Sequence, residues 1–154
     1  MKITIEKIEK EYPYDLLLIA DETVEGINKY VHDSEVYVAE NEGERAGVFC
    51  LIYHKDDTAE IMNIAVLPRI QRRGVGSCLL KEIEKIARMK EQKAVIVGTA
   101  DCGVDQIRFY EKNGYFRYAL KKNYFLEIYE EPIYENGVQL KDMVMLKKEL
   151  PKVK

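Results

Sequence analysis

Three features of the 154-residue sequence predict a mixed α/β (α+β) fold. Three strand-like segments between residues 35 and 67 are separated only by short polar turns, which predicts an antiparallel meander. The pattern then changes to helical spacing from Gly74 to Met89, followed by the continuous apolar run "AVIVG". A strand, a helix and a second strand in that order give a crossover, so the second half of the chain carries a βαβ unit.

Each element has its own signal. Ile3, Ile5 and Ile8 alternate loosely in "KITIEKI" and mark a first strand. Leu16, Leu17, Ile19 and Ala20, then Val24, Ile27 and Val31, mark one or two short helices, with Pro13 at the start. "EVYVAEN", "AGVFCLIYH" and "AEIMNIAVL" are the meander strands, joined by turns at "NEGER" and "KDDT" and ended by Pro68. Val75, Cys78, Leu79, Ile83, Ile86 and Ala87 recur at about 3.6-residue spacing on the long helix. "AVIVG" reads as a strand covered on both faces. "VDQIRFYEKNG" is a second amphipathic helix with Val104, Ile107, Phe109 and Tyr110 inward, closed by Gly114. "YFRYAL" and "MVMLKKEL" are the last strands, and the connection between them, residues 121–142, is long for a small domain.

Composition narrows the function. An apolar fraction of 47% supports a sizeable core, and the length suits one domain over residues 1–154. A net charge of −3 argues against nucleic acid or an anionic membrane surface as partner. No apolar stretch has the length of a membrane span, and "MKITIEKIEK" is unlike a signal peptide, so a cytoplasmic protein is expected. Cys50, Cys78 and Cys102 are widely spaced, which predicts reduced thiols and no metal site.

Residues 71–76, "QRRGVG", lie between an apolar strand and the long helix. A helix start offers unpaired N–H groups and partial positive charge, and glycine lets an anion come close. Arg72 and Arg73 add charged donors, and Ser77 adds a hydroxyl. A pyrophosphate fits such a turn, but a purely structural strand-to-helix turn has the same glycines. No Gly-Lys-Ser/Thr follows, so this is not a P-loop, and Leu79 occupies the third glycine position of a dinucleotide fingerprint.

The whole arrangement resembles the GNAT family of N-acetyltransferases. The family's strand and Gln/Arg-x-x-Gly-x-Gly/Ala turn match "IMNIAVLPRIQRRGVGSCLLKEIEKI", and its Phe-Tyr-x-x-x-Gly-Phe/Tyr segment matches "IRFYEKNGYF". The resemblance implies acetyl-CoA as cofactor, with CoA as product. It also implies a bulge in the third meander strand that splays it from "AVIVG". By the same match, Ile64, Ala65 and Val66 contact the pantetheine arm. Gln71, Arg72, Arg73, Gly74, Val75, Gly76 and Ser77 form the pyrophosphate cradle. Lys112 could reach the adenosine end, or be an ordinary solvated lysine.

The reaction that the resemblance implies is transfer of an acetyl group to a primary amine, of a small molecule or a protein N-terminus, in a ternary complex. Tyr110 matches the family's general acid; a phenol titrates near 10, close to an alkyl thiol. Otherwise it is a buried aromatic. Glu60 is the candidate base, or else an exposed strand-end carboxylate. Two departures stand out: Gly98 lies near where some members carry a glutamate, and Gly103 where many carry a cofactor-binding asparagine, which Asp101 could replace. A non-catalytic acyl-CoA-binding module on the same fold is the alternative, and O-acyl or longer-chain transfer a further one. His32 and His54 are weak candidates, and Cys102 lacks a base partner.

For the acceptor, "NYFLEIYEEPIYENG" combines tyrosines with carboxylates, which suits a cation. Tyr124, Tyr129 and Glu130, with Glu22 and Tyr30 from the first helices, are the candidate substrate contacts. A solvated acidic loop or a homodimer contact would use the same residue types.

Overall fold

The computed structural model describes residues 2–152; residue 1 and residues 153 and 154 of the expected domain lie outside that range. The elements are β1 (Ile3–Ile8), α1 (Tyr14–Ala20), α2 (Val24–Asn28), β2 (Glu35–Asn41), β3 (Glu44–Tyr53), β4 (Thr58–Val66) and α3 (Val75–Met89). They continue with β5 (Ala94–Ala100), α4 (Val104–Lys112), β6 (Phe116–Lys121), α5 (Tyr124–Ile128), β7 (Tyr134–Glu135), β8 (Val138–Gln139) and β9 (Met143–Glu149). The expected mixed fold is present. A seven-stranded sheet runs β1-β2-β3-β4-β5-β9-β6, and β7 and β8 form a small separate hairpin. β1 to β4 are an antiparallel meander, and α3 carries the chain across to β5, which lies parallel to β4.

Both faces of the sheet are covered, and β3 shows why its sequence is nearly continuously apolar. Its side chains alternate between the faces. Phe49 and Leu51 pack with Leu79 and Ile83 of α3 and Ile107 of α4, while Val48 and Cys50 pack with Leu16 and Leu17 of α1 and Ile27 of α2. Each such fully buried side chain is worth about 1.5–3 kcal/mol relative to exposure.

The site depends on how β4 leaves β5. Cys50 of β3 faces Asn63, but the next residue, Leu51, faces Ile61, so Met62 is an extra residue on β4. An unmatched residue bends and twists its strand. β4 pairs with β5 only over Thr58–Ile61 against Ala94–Val97, and beyond that point the two strands have no register. β5 instead stays with β9 along its full length, Ala94–Ala100 against Met143–Glu149. The bulge and splay expected in the third meander strand are therefore both present.

Three details differ from the sequence reading. The long connection is not a plain loop but holds α5 and the β7–β8 hairpin. Its anchor is a small third core of Ala100, Phe125 and Leu140. Cys78 is exposed and Leu80 is fully buried, because the inward stripe of α3 runs one position later there. Val104 is exposed, because it is the first residue of α4 and only the next turn, from Ile107, reaches the core. β6 is exposed along its length, since it is the sheet edge beyond β9.

Candidate active site

The splay between β4 and β5 opens a cavity of about 430 Å³. Glu60 to Val66 of β4, Val97 to Ala100 at the end of β5, and Tyr110 and Gln106 of α4 line it. Asp21, Glu22 and Tyr30 from the first helical segment, and Tyr124, Tyr129 and Glu135 from the C-terminal connection, complete the wall. Residues far apart in sequence meet here because the bulge at Met62 turns β4 away just past its last pairing with β5, Ile61 against Val97.

Tyr110 is buried and stacks at a tilt with Phe109 and edge-on with Tyr115. Burial pushes its phenol well above the usual tyrosine value, so it holds its proton across neutral pH. Glu60 lies one residue before the last β4–β5 pair, opposite Ile96. One of its oxygens is 2.7 Å from His54 Nε2.

The far wall is a hydrogen-bonded network centred on Asp21. Tyr30 donates to Asp21 Oδ2 at 2.9 Å, Tyr129 donates to Asp21 Oδ1 at 3.0 Å, and the Glu22 N–H donates to the same oxygen at 2.7 Å. Asn63, buried on β4, donates to the Tyr30 hydroxyl and to the Leu17 carbonyl, while its own Oδ1 has no partner. Burial first, then the charges of Glu135 and Asp21, raises the Glu22 carboxyl above its ordinary value. Burial likewise raises Tyr30, Tyr124 and Tyr129, so these hydroxyls remain neutral donors.

The phosphate turn sits beyond the Gln71 end of the cavity. Gln71 is committed to the fold: its Nε2 donates to the Val66 carbonyl at 2.8 Å. Gly74 caps α3 at φ 83° with no side chain over the helix end, and a Cβ there would meet open space. No acidic residue lies in the first turn, and the N–H groups of that turn have no intrahelical acceptor. Arg72 and Arg73 are exposed beside it. These features fit a pyrophosphate, and the strand edge of β4 past Ile61, which has no β5 partner, fits an amide-bearing arm. The residues present therefore suit acetyl-CoA.

The sequence candidates divide as follows. Glu60, Ile64, Ala65, Val66, Gln71, Tyr110, Glu22, Tyr30, Tyr124 and Tyr129 all line one cavity. Glu130 is exposed and off the cavity; Glu135, from the β7–β8 hairpin, is the carboxylate of that segment on the wall. Asp101 is exposed and its N–H is spent on the Asp142 carbonyl, while Gly103 and Gln106 line the cavity. Gln106 precedes Tyr110 by one helical turn, a spacing that could have exposed it. Asp21, the residue that follows α1, carries no local sequence signal of this role. Gly98 lines the cavity, and a Cβ there would crowd the flexible side chains of Met143 and Met145, which would have to shift to admit one. Cys102 is only partly buried, and burial, then Asp101 and Glu135, raises its thiol, which disfavours a nucleophile.

Known proteins agree with this geometry. The model of the acetyltransferase (GNAT) domain matches residues 32–116. The Bacillus subtilis protein named "Uncharacterized N-acetyltransferase YvbK" is 36% identical over 133 residues, 86% of each chain. The solved structure of an IAA acetyltransferase from Bacillus cereus is 37% identical with a TM-score of 0.90, covering 97% of this chain and 100% of that one. A GNAT family acetyltransferase from Elizabethkingia anophelis with acetyl-CoA bound is 38% identical, also with a TM-score of 0.90, covering 96% of this chain and 98% of that one. With the splayed strands, the open helix end and these relatives together, the chain belongs to the GNAT family of acetyl-CoA-dependent N-acetyltransferases.

Proposed function

We propose that the acceptor is a cationic primary amine, bound between the Asp21 network and Tyr110, and acetylated by direct attack in a ternary complex. The observation behind this is the charge of the cavity: among the described residues, Asp21, Glu22, Glu60 and Glu135 line it against Lys29 and Lys121. Lys29 donates to the Ile128 carbonyl at 2.6 Å and lies over the Tyr129 ring, and Lys121 lies over the Tyr124 ring, so both cations are already engaged. Tyrosine faces and carboxylates together favour an ammonium group.

Acetyl-CoA supplies the activated acetyl group. On this reading, Ile64, Ala65 and Val66 hold its amide-bearing arm, and Arg72, Arg73, Gly74, Val75, Gly76 and Ser77 hold its pyrophosphate, with Gln71 bracing the turn. Lys112, exposed in the last turn of α4, serves the adenosine end. Glu60 accepts the proton that the amine must shed, and Tyr110 Oη holds the proton that the departing sulfur takes. Tyr30, Tyr124, Tyr129 and Glu22 orient the acceptor.

Two wider expectations belong to the same reading. The whole chain, residues 1–154, is one catalytic domain acting in the cytoplasm; among the described residues no helix is long and apolar enough to cross a membrane. A homodimer is the expected assembly, and the exposed apolar side chains Phe116, Tyr118 and Leu120 on the edge strand β6 support it.

The deciding experiment is an acceptor screen with acetyl-CoA, read by mass spectrometry of the acetylated product and by CoA release. Primary amines carrying positive charge should be the best acceptors. A preference for neutral or anionic acceptors would overturn the cationic reading, and binding of acetyl-CoA with no turnover on any amine would favour a non-catalytic acyl-CoA-binding module. Hydroxyl acceptors and longer acyl donors in the same screen test O-acyl and longer-chain transfer.

A further inference from the structure

Acetylating an ammonium ion releases one net proton. The C–N bond forms and the C–S bond breaks with its electron pair going to sulfur. Of the two protons that nitrogen gives up, one balances the sulfur and the other must reach solvent. Glu60 lines the cavity with only 16% of its side chain exposed. It therefore needs an exit for the proton it takes.

We infer that His54 is that exit, passing the proton from Glu60 to bulk water. The inference rests on the reading of Glu60 as base. His54 Nε2 is 2.7 Å from Glu60 Oε1, the imidazole is outside the cavity lining, and 42% of its side chain is exposed. The pair thus spans the cavity wall, one end inside and one outside. Imidazole suits the task because its two nitrogens are separate proton sites, one able to accept a proton while the other donates one. A proton enters at Nε2, another leaves to water from Nδ1, and tautomer exchange with solvent resets the ring.

The backbone holds the geometry. His54 follows the last residue of β3, and its N–H donates to the Thr58 carbonyl at 2.9 Å across the β3–β4 turn. That puts residues 54 and 60 side by side at the mouth of the hairpin. The other groups facing the pair are few. Asp56, held by the Thr58 hydroxyl at 2.7 Å, lies within electrostatic reach of His54 in the same turn. Tyr118 of β6 and Tyr124 of α5 lie within reach of Glu60, capped by Lys147 and Lys121 over their rings.

The test compares H54Q and E60Q in dilute and in imidazole-containing buffer. H54Q should lower kcat by roughly tenfold to a hundredfold in dilute buffer. Added imidazole should restore it, and the KM for acetyl-CoA should not move. The chain has two histidines, so H32Q leaves one imidazole to follow by nitrogen-edited NMR. The Nε2 resonance of His54 should shift on adding E60Q, independently of any turnover. A slow E60Q with an H54Q that matches wild type in every buffer overturns the relay and leaves Glu60 as base. An H54Q defect that imidazole does not restore makes His54 a support for the carboxylate and also overturns the relay. An E60Q enzyme as fast as wild type overturns the reading of the base itself.

Discussion

Tyr129 donates its hydroxyl hydrogen bond to Asp21 across a sequence separation of 108 residues, at 3.0 Å. The same carboxylate receives Tyr30, so one side chain ties the C-terminal connection to the first helices and closes the acceptor wall. Asp21→Asn should raise the KM of the amine acceptor by roughly tenfold, the value of one charge-assisted hydrogen bond, and leave the acetyl-CoA affinity unchanged. Steady-state kinetics with each substrate varied in turn would check it. An equal rise in both KM values would place the defect in folding rather than in the wall.

Tyr110 is buried in the cavity and held protonated by its surroundings. Tyr110→Phe removes only the hydroxyl, and the aromatic packing against Tyr115 remains available. We expect kcat to fall by about a hundredfold or more while acetyl-CoA binding, measured by calorimetry, is retained. Because the phenol is raised, the alkaline limb of the wild-type rate profile should lie above the ordinary tyrosine value of about 10. Unchanged turnover in the phenylalanine variant would remove Tyr110 as the acid.

The open end of α3 predicts a salt effect. Arg72→Ala with Arg73→Ala should raise the KM for acetyl-CoA, and the loss should shrink as ionic strength rises and screens the wild-type attraction. Gly76 makes a different test. A Cβ there would meet the Phe109 ring at 3.0 Å, so Gly76→Val should disturb the contact of α3 with α4 and lower both Tm and acetyl-CoA affinity.

Glu35 predicts the acid limit of the fold. It opens β2 and accepts from Tyr53, Lys90, Lys7 and Tyr37, joining β1, β3 and the end of α3. Burial alone would raise its carboxyl, but Tyr53, Lys90 and Lys7 together outweigh it and hold the value at about 2. The folded value is below the unfolded one, about 4.3, so the stabilisation is full above that pH and is lost as pH falls toward the folded value. Glu35→Gln should cost about 1.5–3 kcal/mol at neutral pH, as for a hydrogen-bonded charged group. Denaturant unfolding of both proteins should give a difference that narrows through the acid range.

Local sequence determined a large part of this protein. The period-two alternation of β2, the continuous apolar run of β3 and the helical spacing of α3 each depend on neighbours a few residues away, and each is legible. The same holds for "QRRGVG" and for "FYEKNGY", because a strand, a glycine turn and a helix start are adjacent in the chain. The family, its cofactor and the position of Tyr110 followed from them.

Tertiary structure decided what the cavity is made of. Met62 as the extra residue shows only when β4 is laid against β3, because a bulge is a mismatch between two strands. Asp21, Glu135 and Gln106 join the wall, and Glu130 and Asp101 leave it, because side-chain direction depends on how the β7–β8 hairpin and the loop before α4 pack. His54 meets Glu60 only across a closed hairpin. Spacing along the chain encodes the elements, whereas proximity between elements is set by the packing of the sheet and its two helical layers, which no single segment carries.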